Sequence, residues 1–295
     1  MVTNLKLITK GITERLSSRF PAVFSANYFR KHTESLLVKN ELSESELRKF
    51  FKGLNCVPIE WNKKPLLQLY SFKEEFELEN ILSAWTAEKF YLSHYSALYW
   101  NNLVEQRPVE HFLSAEITSH KNSADKNPPN PEVIKQVFMK APRETSNFAT
   151  FGGMKFVFVE RANCGEAGVM ELNVSSFKEK LKFQITDVER TLIDCAVAPH
   201  YSGGLPTVIQ AFLKASLNIE QLSRHYKMQN FLYPYWQSIG FLIEICKGKE
   251  IARNWMNNFE KPKIDFYIDR NYRADWSFHK EWKIYFPKNL VPYGD

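Results

Sequence analysis

Apolar residues at the front of the chain recur with a helical period. Leu5, Ile8, Ile12 and Leu16 share one face and predict a helix over 4–19. A second helix is predicted over 25–38. Ser43 then has the chemistry of a helix N-cap, with Glu46 three residues later as its capping-box partner. The helix that follows, 44–54, places Leu47, Phe50, Phe51 and Leu54 on its apolar side, and Gly53 marks its expected end. Ser45, Arg48, Lys49 and Lys52 fall on the opposite side. Two β-like runs come next, Cys56–Trp61 and Leu66–Phe72, separated by the turn sequence Asn62-Lys63-Lys64-Pro65. Helices followed by a hairpin with a basic tip predict a winged helix-turn-helix over residues 1–72.

Lys73–Glu79 reads as a connector, and a second region is predicted to start near Leu78. It contains a helix over 94–103 capped by Ser93, a strand over Phe112–Thr118 and a polar loop over His120–Pro131. Further strands are expected over Val133–Lys140, Met154–Glu160 and Lys182–Ile185, where β-branched and aromatic residues concentrate. Thr186 with Glu189 suggests another capping box, opening a helix whose buried side is Leu192, Ile193 and Val197 and whose end is Pro199. Gly203-Gly204 suits a turn with positive φ. Helices are expected at 207–216, 219–229 and 235–247, the last stopped by Gly248. The aromatic tail, 249–295, has no clear period. The fold class is therefore α+β: an N-terminal winged helix-turn-helix, a larger mixed α/β domain over 78–248, and a C-terminal extension.

Composition narrows the classes. Of 295 residues 44% are apolar, 15% aromatic and only 24% charged, which allows a packed core and excludes wholesale disorder. The net charge of +6 is unevenly placed: residues 1–72 carry twelve Lys and Arg against six Glu, and the rest of the chain is balanced. Such a basic front suggests a polyanion partner, double-stranded DNA, although a merely solubilising surface has the same charge. In a winged helix the third helix enters the major groove and the hairpin tip lies along the backbone. Ser45, Arg48, Lys49, Lys52, Lys63 and Lys64 are the candidate DNA-binding residues, because guanidinium and ammonium groups bond base edges and neutralise phosphate. Cys56, Cys164, Cys195 and Cys246 form no Cys-x-x-Cys pair and read as reduced core thiols. No run is long and apolar enough for a signal peptide or membrane span, so a cytoplasmic location without a membrane partner is expected.

Recognisable catalytic machinery is missing. There is no Gly-x-Ser-x-Gly elbow, phosphate-binding loop or dinucleotide fingerprint, and no histidine has a His or Cys partner at metal-ligand spacing. Asp194, His200 and Ser202 are neighbours in sequence but belong to a helix and a glycine turn, which does not make a triad. Asp265 followed by Glu281-Trp282-Lys283 matches the acid and acid-x-Lys pattern of metal-dependent nucleases, a pattern that also arises by chance in a chain of this composition.

Three blocks carry a family resemblance: Tyr91-Leu92-Ser93-His94-Tyr95-Ser96-Ala97-Leu98-Tyr99-Trp100-Asn101-Asn102-Leu103, Asp187-Val188-Glu189-Arg190-Thr191-Leu192-Ile193-Asp194 and Tyr201-Ser202-Gly203-Gly204. In order and spacing they resemble the AbiEi family of antitoxins, the abortive-infection transcriptional regulators of type IV toxin–antitoxin systems. The stretch Ser238-Ile239-Gly240-Phe241-Leu242-Ile243-Glu244 is similar to a late helix of that family. Leu67-Gln68-Leu69-Tyr70 lacks the glycine of the family's wing. The resemblance covers about residues 78–248 and implies function without catalysis, cofactor or metal. It implies a winged helix that binds the protein's own promoter as an autorepressor, and a second domain that counters a nucleotidyltransferase-type toxin without requiring a stable complex. The blocks themselves also read as fold determinants, with Arg190 and Asp194 four apart and able to pair. The alternatives are a solitary DNA-binding regulator without a toxin, and a metal-dependent nuclease using Asp265, Glu281 and Lys283.

Overall fold

The structure is a computed structural model that describes residues 20–38, 43, 45, 48, 51, 54–71, 73, 75–117, 130–162, 166–175 and 180–290. The predicted helix over 4–19 and residues 120–129 of the predicted loop His120–Pro131 lie outside these residues. The described chain is mixed α+β and forms two compact units. One runs up to Tyr91 and adds Phe148–Gly153 and Glu171–Ile185; the other holds Leu92–Asn147, Met154–Met170 and the chain from Thr186 onward.

The first unit is organised around a small antiparallel sheet. Strand Val23–Ser25 pairs with Leu69–Ser71 in the register Val23↔Ser71, Phe24↔Tyr70, Ser25↔Leu69. Leu69–Ser71 also pairs with Asn55–Cys56, giving the order first, last, middle. Helix Ala26–Val38 continues directly from the first strand. Its start is held by Glu88, whose carboxylate accepts from the Ser25 hydroxyl and, at 3.0 Å, from the Tyr28 backbone N–H. A carboxylate is favoured there because the first turn leaves its N–H groups unpaired. Phe20, Phe24 and Phe29 form a buried aromatic cluster, extended by Phe51, which stands 5.8 Å from Phe29 and 4.5 Å from Tyr70 between ring centres.

The predicted hairpin is corrected here. Cys56–Trp61 is not one strand: it breaks at Val57–Ile59, around Pro58, and Glu60–Trp61 pairs instead with Phe148–Phe151, as Glu60↔Thr150 and Trp61↔Ala149. Proline has no N–H to give to a ladder, which accounts for the break. Asn62 extends the new pairing, donating its N–H to the Phe148 carbonyl at 3.2 Å and accepting from the Phe148 N–H at 3.1 Å. The second predicted run is narrowed to Leu69–Ser71. The connector contains a helix start: Leu78–Thr86 is capped at Glu77, whose N–H donates to the Asn80 side chain at 2.9 Å. Leu78, Ile81, Leu82 and Trp85 are its buried face.

The second unit contains the parallel pair Glu110–Ile117 and Met154–Ala162, in register over eight residues from Glu110↔Lys155 to Ile117↔Ala162. Helices Val188–Val197, Leu205–Lys214, Ile219–Met228 and Tyr235–Lys247 supply most of its core. Gly203, Gly204 and Gly248 have φ of 78°, 86° and 93°, which bears out the predicted turn and stop. Two expectations fail. Residues 133–140 were expected as a strand, but Pro131–Phe138 is a helix: the Asn130 side chain accepts from the Glu132 N–H, Pro131 occupies the first turn, and Ile134 and Phe138 are buried four apart. Capping and burial outweigh the β preference of Val133, Ile134 and Val137. The cap of Val188–Val197 is Asp187, accepting from the Arg190 N–H at 2.8 Å, and not Thr186, which closes the preceding strand Lys180–Thr186.

The tail is part of the core. Helix Lys249–Met256 is followed by Phe266–Tyr267, parallel to Ile284–Phe286, which pairs antiparallel with Ser277–His279. Trp255, Phe266, Trp282 and Ile284 are fully buried.

Candidate nucleic-acid interface

The candidate DNA-binding residues divide into three groups. Ser45 and Arg48 are helical and exposed, as expected of the outward face. Lys63 and Lys64 are exposed in the turn after Glu60–Trp61. Lys49 and Lys52 lie outside the described residues, as does Glu46, the proposed partner of Ser43; the Ser43 hydroxyl is 3.1 Å from that of Ser45. The turn carrying Lys63 and Lys64 is fixed through Asn62 to strand Phe148–Phe151, so its lysines stand on a braced edge instead of a projecting hairpin tip. Helix Ala26–Val38 adds two exposed cations, Arg30 and Lys31, that the sequence reading did not select. The available signal was spacing: Phe29 and Thr33 are buried four apart, and Arg30 and Lys31 fall outside that stripe.

From Leu92 onward, the residues that carry the family resemblance lie in the second unit, where hydrogen bonds fix several of them. Asp194 is fully buried; its Oδ1 accepts from Arg190 Nε at 3.0 Å and from the Arg161 guanidinium. Arg190 Nη1 donates to the Ala167 carbonyl at 2.6 Å, and Arg161 Nη2 to Gln229 Oε1 at 3.1 Å. Burial raises the Asp194 carboxyl, but the Arg161 and Arg190 guanidiniums pull it further down, leaving it below the usual carboxylate range. Burial also pushes His94 down to about 3, so this ring is neutral at physiological pH. Its Nδ1 is 2.9 Å from the Ser93 hydroxyl, which reaches Ser114 at 2.7 Å. Asp187 Oδ2 meets Gln221 at 2.9 Å and His225 at 2.8 Å, while Tyr201 accepts from the Thr145 N–H at 2.6 Å. These contacts make the blocks fold determinants.

The alternative chemistries find little geometry. Asp194 is engaged by arginines, Ser202 donates to the Ala198 carbonyl at 3.4 Å, and among the described residues neither ring nitrogen of His200 has a hydrogen-bond partner. Lys283 Nζ is 4.0 Å from Asp265, with both side chains about half exposed. Among the described residues there is no group of three or more His, Cys, Asp or Glu placed to hold a metal ion. Cys195 is buried and Cys246 partly so, but Cys56 is exposed, which corrects its assignment to the core. Among the described residues no helix is long and apolar enough to cross a membrane.

No protein-family model matches the chain, and no curated protein matches it. Among solved structures it is similar to the crystal structure of RV2827C protein from Mycobacterium tuberculosis, with a TM-score of 0.55 at 12% identity, covering 95% of this chain and 91% of that one. The likeness is one of fold.

Proposed function

We propose that this chain is a DNA-binding autorepressor and the antitoxin of a type IV toxin–antitoxin system, acting against a nucleotidyltransferase-type toxin. The carrying observation is the layout of the first unit. A strand, a helix, further helical residues at Ser45, Arg48 and Phe51, and two later strands are joined in a sheet whose first strand pairs with its last. That order is compatible with a winged helix, and Arg30, Lys31, Arg48, Lys63 and Lys64 are exposed on it. The antitoxin half of the reading rests on the AbiEi resemblance of the blocks at 91–103, 187–194 and 201–204.

The test is equilibrium binding of the full chain to a duplex carrying its own promoter, measured across a salt series. About five phosphate contacts would give a log–log slope near −4 to −5. The triple variant R48A/K49A/K52A is expected to bind more weakly with a flatter slope; unchanged affinity and slope would remove the recognition-helix assignment.

A further inference from the structure

The second unit holds a cavity of about 560 Å³ whose lining includes Lys140, Arg143, His200, Tyr201, Tyr233 and Arg270. This volume is in the range of small-molecule sites, roughly 300–1,000 Å³. One wall is built by the tail. The segment Arg270–Tyr272 donates to carbonyls at and just beyond the end of helix Pro131–Phe138: Arg270 Nη1 to Val137 at 3.0 Å, the Tyr272 N–H to Phe138 at 3.0 Å, and the Asn271 N–H to Lys140 at 3.3 Å. Asn271 takes a φ of 65° to do so, a conformation that asparagine tolerates. The Arg270 guanidinium is thereby held 4.4 Å from the Phe138 ring centre and 5.9 Å from that of Tyr233.

Aromatic rings form much of the remaining wall. Tyr233 stands edge-on to Phe138 and Tyr235, at 5.5 and 6.0 Å. The Tyr201 hydroxyl accepts from Thr145, which leaves its own proton available to donate. At the rim Lys140 and Arg143 are exposed, and among the described residues neither has an ion-pair partner. The opposing acids are Glu144, which is exposed, and Asp269, whose carboxylate already accepts from the Arg270 N–H at 2.7 Å. Uncommitted cations beside a pinned arginine favour a multiply charged anion, and phosphate suits guanidinium in fork geometry. Three tyrosine rings in the lining, Tyr201, Tyr233 and Tyr235, favour a planar ring.

We infer that this cavity binds a small ligand joining a planar ring to a multiply charged anion, the chemistry of a nucleoside diphosphate. The anion lies toward Lys140, Arg143 and Arg270, and the ring against the tyrosines. The inference does not depend on DNA binding, which uses other residues. It is tested by titration calorimetry of the full chain with ADP, adenosine and inorganic pyrophosphate. ADP is expected to bind at least tenfold more tightly than either fragment. The variant K140A/R143A, which changes only exposed side chains, is expected to lose at least tenfold in ADP affinity with an unchanged Tm. No ADP binding at millimolar concentration would overturn the inference. So would pyrophosphate binding as tightly as ADP, undiminished affinity in K140A/R143A, or equally tight binding of a short single-stranded oligonucleotide.

Discussion

Asp194 shows how one buried carboxylate can organise a domain. It balances Arg190, which is fully buried, and Arg161, which is nearly so. Removing it takes away a carboxylate that both guanidiniums share, so Asp194→Ala is expected to cost about 3–5 kcal/mol, read as a lower urea midpoint with an unchanged slope. Its depressed pKa means that its contribution is present above the ordinary carboxylate range and is lost as pH falls through the folded value. Two histidines act at higher pH. Burial lowers His94 to about 3 and His111 to about 4, so between roughly pH 4 and 6 the unfolded chain binds more protons than the folded one. Stability is therefore full above about pH 6.5 and falls on acidification, by about 1.4 kcal/mol per pH unit for each histidine. Among the described residues His111 has no hydrogen-bond partner on either ring nitrogen, and it stacks 5.4 Å from Phe156. His111→Phe is expected to keep or raise stability at pH 7 and to make the loss between pH 6 and 5 shallower by about that amount. A urea series in which the two proteins lose stability in parallel would reject this role.

At the scale of elements, caps and glycines were readable and long-range partners were not. Gly203-Gly204 and Gly248 stand where their conformational freedom predicts a turn and a helix stop. Pro131–Phe138 is helical against the β propensity of Val133, Ile134 and Val137 because Asn130 caps it and Pro131 suits its first turn. Glu60–Trp61 pairs with Phe148–Phe151, a neighbour so far along the chain that no local pattern indicates it. The tail had no readable period because its strands have only two or three residues and are positioned by the helix they cover. Gly240 makes that dependence specific: a Cβ there would come within 2.2 Å of the Trp282 ring. Gln237 Nε2 also donates to the Trp282 carbonyl at 2.7 Å. Gly240→Ala is expected to cost about 1–3 kcal/mol by overpacking, and thermal unfolding of G240A/W282L should show less than the sum of the two single losses. Additive losses would mean that the helix and tail are not coupled at this point.

For the whole molecule, the division into units bears on how the promoter reading is tested. Phe148–Gly153 and Glu171–Ile185 belong to the unit that contains the basic front, so cutting the chain near residue 78 would separate them from their packing partners. Charge-removing variants of the full chain keep that unit intact. Each lost phosphate contact reduces the magnitude of the salt slope by about 0.9, so three lost contacts would flatten it by roughly 3. A fall in affinity with the slope preserved would point to misfolding or to loss of base contacts instead of lost phosphate neutralisation.

Local chemistry was enough to determine the mixed α+β class, most helices after residue 186, the placement of the excess charge and the Arg190–Asp194 pair. Each depends on interactions within a few residues or on composition, which a linear chain displays directly. Tertiary structure alone decided that Arg161 and Gln229 join that pair, that Glu60–Trp61 leaves the expected hairpin, that the tail caps helix Pro131–Phe138, and that Lys140, Arg143 and Arg270 share one cavity. Those outcomes come from satisfying buried charges and unpaired backbone groups between residues tens to more than a hundred positions apart, and no periodicity along the chain encodes that pairing.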